Sequence, residues 1–462
     1  MASELDPPFD EAWARAGAPR PHYQAVMDAV NEIGADALSA TVAQALTEGE
    51  VTFGEARFVV DPIPRLITAV EWRYLEMGLC QRARALNRFL SDVYGAQEIV
   101  AAGVVPQAAL DSAEGFERDL RGTVPHQPWP AAVIGFDVVR APDGEFLVLE
   151  DNLRTPSGFA YALAARTAVL AALGEALPSP RSLEPALWEL LGAALRATAP
   201  GRPADPLVVV LTDGPDNVAY WEHALAADAL AAVLATPDDL VRDGSRLRVA
   251  RPDGSTSAVD VIYRRTNEDR ARDEQGELTP VAAKLLEPWL AGSIGLVNAF
   301  GNGVADDKLV HSHVEQFVQF YLDEAPLIRS VPTTSVESDP DQVADRLSEL
   351  VVKPRHGHGG IGVVIGRHSD EGELQGLTRE LRKDPSGYIA QPTITLSVHP
   401  TVIEGGLAPR HVDLRAFSFA AEDIALMPGG LSRVALEEGA LVVNSSQDGG
   451  GKDTWILPAD VS

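Results

Sequence analysis

Val351-Val352-Lys353-Pro354-Arg355-His356-Gly357-His358-Gly359-Gly360-Ile361-Gly362 is the stretch that decides how the chain reads. The valine-rich run predicts a strand around 350–354, and Ile361 to Ile365 predicts a second strand after the loop. Gly357, Gly359 and Gly360 carry no Cβ, so backbone N–H groups there can approach phosphate oxygens closely while the Lys353 ammonium neutralises charge. The lysine precedes the glycines and no Gly-Lys-Ser/Thr follows, so this is not a Walker A loop. Taken alone, it also fits a glycine-bearing hairpin with an exposed lysine.

Two other polar constellations stand apart from it in the chain. In Glu150-Asp151-Asn152-Leu153-Arg154-Thr155-Pro156-Ser157-Gly158, the period of two along a strand turns Glu150 and Asn152 to one face. Asp137, on the preceding strand, can reach that face across a hairpin. Hard oxygen donors in this arrangement suit magnesium held between protein and phosphates. A solvated hairpin end is the plainer alternative. Later come His411-Val412-Asp413-Leu414-Arg415 and Arg433. Asp413 and Arg415 share a strand face, where they can sit over a phosphate or order one another as an ion pair. The stretch Asn444 to Asp453, glycine-rich with Lys452, reads as a surface turn.

Around these motifs the texture changes along the chain. Residues 1–130 read as mainly helical, with one apolar face recurring from Glu71 to Tyr94 and Gly95 as its stop. Residues 131–200 open with a strand, the turn Pro142-Asp143-Gly144 and a second strand, then return to helix from Tyr161 to Ala199. Pro200-Gly201-Arg202-Pro203 reads as a linker. Residues 201–305 alternate strands at 207–211, 259–263 and 295–298 with a helix near 220–234, a small α/β unit. Residues 306–400 read as α+β, with a helix from Asp307 to Leu322 ahead of the Lys353 strand, and 401–462 complete the chain. The predicted class is thus α/β and α+β with several domains.

Composition narrows the partners. Thirty-eight basic residues against 67 acidic ones give a formal charge of −29 over 462 residues, which repels nucleic acid and anionic membrane. The only cysteine, Cys80, falls inside a predicted helix, so no intramolecular disulfide and no Cys-based metal site can form. The start, Met1 to Pro8, has neither a basic region nor an apolar core, and no run of about eighteen apolar residues occurs. The expectation is a cytoplasmic protein that neither enters nor spans a membrane.

The motifs together resemble the ATP-grasp superfamily, and specifically its circularly permuted type 2 family. Asp307-Lys308 and Lys353 resemble that fold's two lysines, and Tyr388-Ile389-Ala390-Gln391-Pro392 resembles its adenine hinge. Glu150 to Asn152 resembles its magnesium-binding Glu-x-Asn, but here lies upstream of Lys353, the permuted order. Asp61-Pro62-Ile63-Pro64-Arg65, Pro409 to Arg415 and Pro428 to Ala435 extend the likeness over nearly the whole chain. Where the family pattern is Tyr-x-Leu-Glu-Asn-Arg, this chain reads Tyr161-Ala162-Leu163-Ala164-Ala165-Arg166, without that carboxylate and amide.

The resemblance implies a permuted ATP-grasp fold with 131–200 and 401–462 as core and 306–400 as lid. It implies a ligase that uses ATP and Mg2+ to join a carboxylate to an amine or thiol through an acyl phosphate, forming a peptide or amide bond. Lys308, Lys353, Gly357, Gly359, Gly360 and Gln391 would bind the nucleotide. Asp137, Glu150 and Asn152 would hold the metal, and Asp413, Arg415 and Arg433 would serve the transferring phosphoryl group. The partners would be a small-molecule or peptide carboxylate and an amine acceptor; the sequence is also compatible with a homo-oligomer. The same groups would also serve a kinase, or an ATP-binding partner subunit without turnover.

Overall fold

The computed structural model describes residues 6–14, 17–123, 127–174, 177, 179–357, 361–440 and 449–459. Its centre is an eight-stranded sheet. Across it, in order, run Arg329–Ser330, Phe146–Asn152, Val133–Arg140, Gly406–Ala420, Ile424–Val434, Gly450–Ile456 and Val60–Ile67, with Val398–Ile403 also paired to Gly406–Ala420. Strands from both ends of the chain therefore meet in one sheet, with the Asp137 strand directly beside the Arg415 strand.

Alternation along these strands divides the residues between two cores. Phe136, Val138, Leu414 and Ala416 pack with the long helix Ala69–Val93. Phe417, Leu431 and Trp455 pack with the helix Phe159–Leu173. The helix Ala69–Val93 begins with a capping box in which Thr68 and Glu71 bond reciprocally. The strand Val60–Ile67 runs through Pro62 and Pro64 inside the stretch expected to be mainly helical. It survives because it lies at the end of the sheet, where a missing N–H costs no ladder bond.

Two smaller sheets flank the centre. Val208–Leu211, Val261–Arg264, Gly295–Val297 and Val233–Ala235 form a parallel sheet of four strands, in the order Gly295–Val297, Val261–Arg264, Val208–Leu211, Val233–Ala235. The helix expected near 220–234 ends at Ala229, and Val233–Ala235 is instead the fourth strand. The second sheet holds Thr334–Ser335, Tyr388–Pro392, Leu350–Pro354 and Val364–Ile365, all antiparallel. The helical stretch expected from Tyr161 to Ala199 is two helices, Phe159–Leu173 and Glu184–Thr198, parted at Gly174, whose φ of 75° stops the first. The helix expected from Asp307 to Leu322 is likewise two, Lys308–His311 and Val314–Leu322.

Candidate active site

Register along the central sheet sets the first row of side chains. Asp137 pairs with Glu150 on one side and with Arg415 on the other, while Asp413 pairs with Arg433. Because neighbouring strands stand under 6 Å apart, these charges must interact. Arg415 Nε and Nη2 donate to the two oxygens of Asp137 at 2.6 and 2.7 Å. Arg433 reaches the same carboxylate at 3.0 Å and also pairs with Asp413. Burial would raise the Asp137 carboxyl, but Arg415 and Arg433 overcome it and hold the group well below the usual carboxylate range. Burial keeps Asp413 above that range despite Arg433. Of the two readings of that strand face, the ion pair of Asp413 with Arg415 does not form; each takes a partner from the neighbouring strand.

The second row comes from the sheet that carries the glycine loop. In it Val352 packs inward with Leu347, Leu377 and Leu381, and Lys353, next along the strand, faces the central sheet. Its ammonium lies 3.9 Å from Glu150. Burial holds the Lys353 pKa below that of an ordinary lysine, only partly offset by Glu150. Lys308 Nζ donates to the carbonyl of Gly357 at 2.9 Å. Asp307 caps the helix that Lys308 opens and forms a buried ion pair with Arg355 at 3.1 Å, so the two lysine-bearing segments are tied together. Gln391 is fixed by a bond from Nε2 to Thr333 Oγ1 at 2.9 Å. Gly359, Gly360 and residues 444–448 lie outside the described residues; from Gly450 the stretch expected as a surface turn is instead the strand Gly450–Ile456, buried in the central sheet, with Lys452 paired to Asp61.

These rows close on one cleft of about 500 Å³. Asp137, Glu150, Asn152, Lys308, Lys353, Gly357, Gln391, Asp413, Arg415 and Arg433 all border it. Near Gln391 its walls are apolar, from Val139, Leu149, Val331, Val351 and Leu396; Phe53, Val218, Asn267 and Asp269 also border it. Neither Ala164 nor Ala165 borders it. In that helix Arg166 bonds Asp453 and Tyr161 donates to the carbonyl of Thr52.

The donor set bears differently on the three expected metal ligands. Glu150 is about a third exposed, with Lys353 at 3.9 Å as its ion-pair partner. Asn152 donates through Nδ2 to the carbonyl of Gly135 at 3.5 Å, so its oxygen is the atom that would meet a cation. Both oxygens of Asp137 already accept from Arg415, and a cation there would have to compete with two guanidinium groups. Among the described residues no group of three or more His, Cys, Asp or Glu side chains is placed to hold a metal ion. The fit is therefore to an ion that takes Glu150 and Asn152 from the protein and its other ligands from phosphate and water, the usual habit of magnesium.

Several residues that shape the site have no obvious sequence signal. Asp151, between the two outward-facing donors, turns to the opposite side, where Arg82 binds both its oxygens at 2.7 Å and His311 Nδ1 bonds at 2.8 Å. This pins the Glu150 strand to the helix Ala69–Val93. Asp306 accepts from the backbone N–H of Leu153 at 2.7 Å and pairs with Arg154 at 3.0 Å. Burial pushes its carboxyl up to about 6. Arg154 lies inside a motif already quoted and Asp306 immediately before another, so adjacency to Asn152 and Lys308 was the available clue. Burial pushes the Cys80 thiol up to about 11, which makes it a poor nucleophile.

The fold and the site thus bring segments from distant parts of the chain together around one cleft. The chain matches the circularly permuted ATP-grasp type 2 family over residues 64–435, and it belongs to that family. An uncharacterized protein of Mycobacterium tuberculosis (strain ATCC 25618 / H37Rv) is 40% identical over 463 residues, covering 97% of this chain and 84% of its own length. One from Synechocystis sp. (strain ATCC 27184 / PCC 6803 / Kazusa) is 39% identical over 467 residues, 97% of each chain. A protein of Frankia casuarinae, provisionally named glutamate–cysteine ligase 2-2, is 42% identical over 467 residues, 97% of this chain but 53% of the relative. That name therefore belongs to a protein nearly twice as long as the part matched here. Among the described residues no helix is long and apolar enough to cross a membrane.

Proposed function

We propose that the chain is an ATP- and Mg2+-dependent ligase that joins a carboxylate to an amine. The observation that carries this reading is the convergence of Lys308, Lys353, Glu150, Arg415 and Arg433 on one cleft from segments far apart in sequence. Phosphoryl transfer asks little covalent chemistry of a protein and much positioning of charge, and that is what these residues offer. The apolar end beside Gln391 suits a base, and Lys308 and Lys353 suit the phosphates. Glu150 and Asn152 would hold Mg2+, which when bound would neutralise charge on the phosphates.

In this reading a carboxylate oxygen attacks the terminal phosphorus and ADP leaves, giving an acyl phosphate. The amine nitrogen then attacks the acyl carbon, phosphate leaves and the nitrogen loses a proton. Arg415 and Arg433 would bind the carboxylate or the transferring group, held at fixed positions by Asp137 and Asp413. The name of the Frankia relative supports the ligase class, without fixing the acid or the acceptor for this chain.

The test is a screen of carboxylate and amine pairs for release of ADP and phosphate, with mass spectrometry of the product. The expected result is release that needs both substrates. A stable phosphorylated product would mean a kinase, and ATP binding without turnover under any pair would mean a non-catalytic subunit.

A further inference from the structure

Pro156-Ser157-Gly158 follows the Glu150 strand and is gripped from two sides. From the parallel sheet, Arg265 Nη1 donates to the Pro156 carbonyl at 2.8 Å and Nη2 to Ser157 Oγ at 2.5 Å. The same guanidinium pairs with Glu222 at 3.2 Å. Glu222 Oε2 in turn accepts from the backbone N–H groups of Gly158 at 2.9 Å and Ala160 at 3.0 Å, which caps the helix Phe159–Leu173. From the central sheet, Arg415 Nη1 donates to the Ser157 carbonyl at 3.3 Å while its other nitrogens hold Asp137.

The loop cannot set this geometry by itself. Gly158 has a φ of 130°, and a Cβ there would meet Phe417 at 3.1 Å. Both Arg265 and Glu222 are buried, at 3% and 0% exposure. Arg265 is not among the residues that border the cleft, whereas Asn267 and Asp269 just beyond it are. It can affect chemistry only through what it holds. A planar guanidinium is suited to that, because its donors are fixed relative to one another.

We propose that Arg265 is a positioning residue. With Glu222 it fixes the Pro156–Gly158 loop, and through the Ser157 carbonyl it fixes the Arg415 guanidinium, so that the α/β unit aligns the reacting end of the cleft without touching nucleotide. The part played by Arg415 rests on the ligase reading; the grip on the loop does not.

Arg265→Lys keeps the charge and loses the fork. Ser157→Ala removes one bond and leaves the buried ion pair intact. In Arg265→Lys, kcat for ADP release should fall about 10- to 100-fold with KM for ATP near parental, the pattern expected of a misplaced group. Ser157→Ala should lower kcat by a few fold in the same pattern. Hydrogen exchange of the Gly158 and Ala160 amides should quicken by roughly tenfold in Arg265→Lys, on the scale of one lost bond. Parental exchange and parental kcat in both variants would overturn the proposal. So would a parallel fall of kcat, ATP binding and Tm in Ser157→Ala, which would mark plain structural support. If the parent shows no substrate-dependent ADP release, the ligase reading fails, and the exchange measurement still decides whether Arg265 holds the loop.

Discussion

The two sides of the cleft hold their charges in opposite ways. On the central sheet, Asp137, Asp413, Arg415 and Arg433 satisfy one another through short contacts and are largely buried. On the facing side, Lys353 of the second sheet meets Glu150 only at 3.9 Å, and Lys308, at the start of its helix, rests on a backbone carbonyl. One side is complete without a ligand, and the other has cations whose best partners would be phosphate oxygens. The difference teaches where a ligand's energy would be gained: on the lysine side through new contacts, on the arginine side through geometry already in place.

Breaking the complete side should have the largest effect. Arg433→Met leaves Asp413 and Asp137 buried with too few partners, and should cost about 3 to 5 kcal/mol in urea unfolding. Glu150→Gln, on the central sheet but paired only with Lys353 of the open side, should instead leave the unfolding midpoint unchanged. It should lower Mg2+-dependent ADP release on the order of 100-fold, about 2.7 kcal/mol. If the unfolding results were reversed, the contrast between the two sides would be wrong.

The contrast sharpens with pH. Asp137 and Asp151 have folded pKa values below their unfolded ones, so their contribution is present above about pH 4 and is lost as pH falls further. Asp306 has the opposite sign. Its folded pKa of about 6 lies above the ordinary carboxyl value of 3.8, so the folded state binds more protons between those values and stability declines as pH rises through them. Asp306→Asn should therefore gain stability relative to the parent from about pH 4 to pH 6 and hold that margin above. The rise in its pKa stands even though Arg154 and the Leu153 amide offset part of the burial. A parent and variant with parallel pH curves would remove Asp306 from this account.

How much could be read beforehand followed the range of the interactions. Lys353 was legible because a valine run, a lysine and glycines sit together in sequence, and the strand runs over Leu350–Pro354 as that pattern suggests. The strand pair of Asp137 and Glu150 was legible for the same reason, its turn being local. The strand Val60–Ile67 was hidden because prolines usually deny a strand, and only its place at a sheet edge permits them. The partners of charged residues were hidden more deeply. Arg415 and Asp137 are 278 residues apart, and nothing local tells either that it will be neutralised. Arg82, Glu222 and Arg265 look like residues of solvated faces until their distant partners are known.

The most direct test of the central claim is calorimetric titration of MgATP into the parent and into Lys353→Ala. Loss of one charge-assisted contact is worth about 1.5 to 3 kcal/mol, so the variant should bind roughly 10- to 150-fold more weakly while its unfolding midpoint stays close to the parent's. Equal affinity in the two proteins would contradict the account, because the open side of the cleft would then not be where the nucleotide phosphates bind.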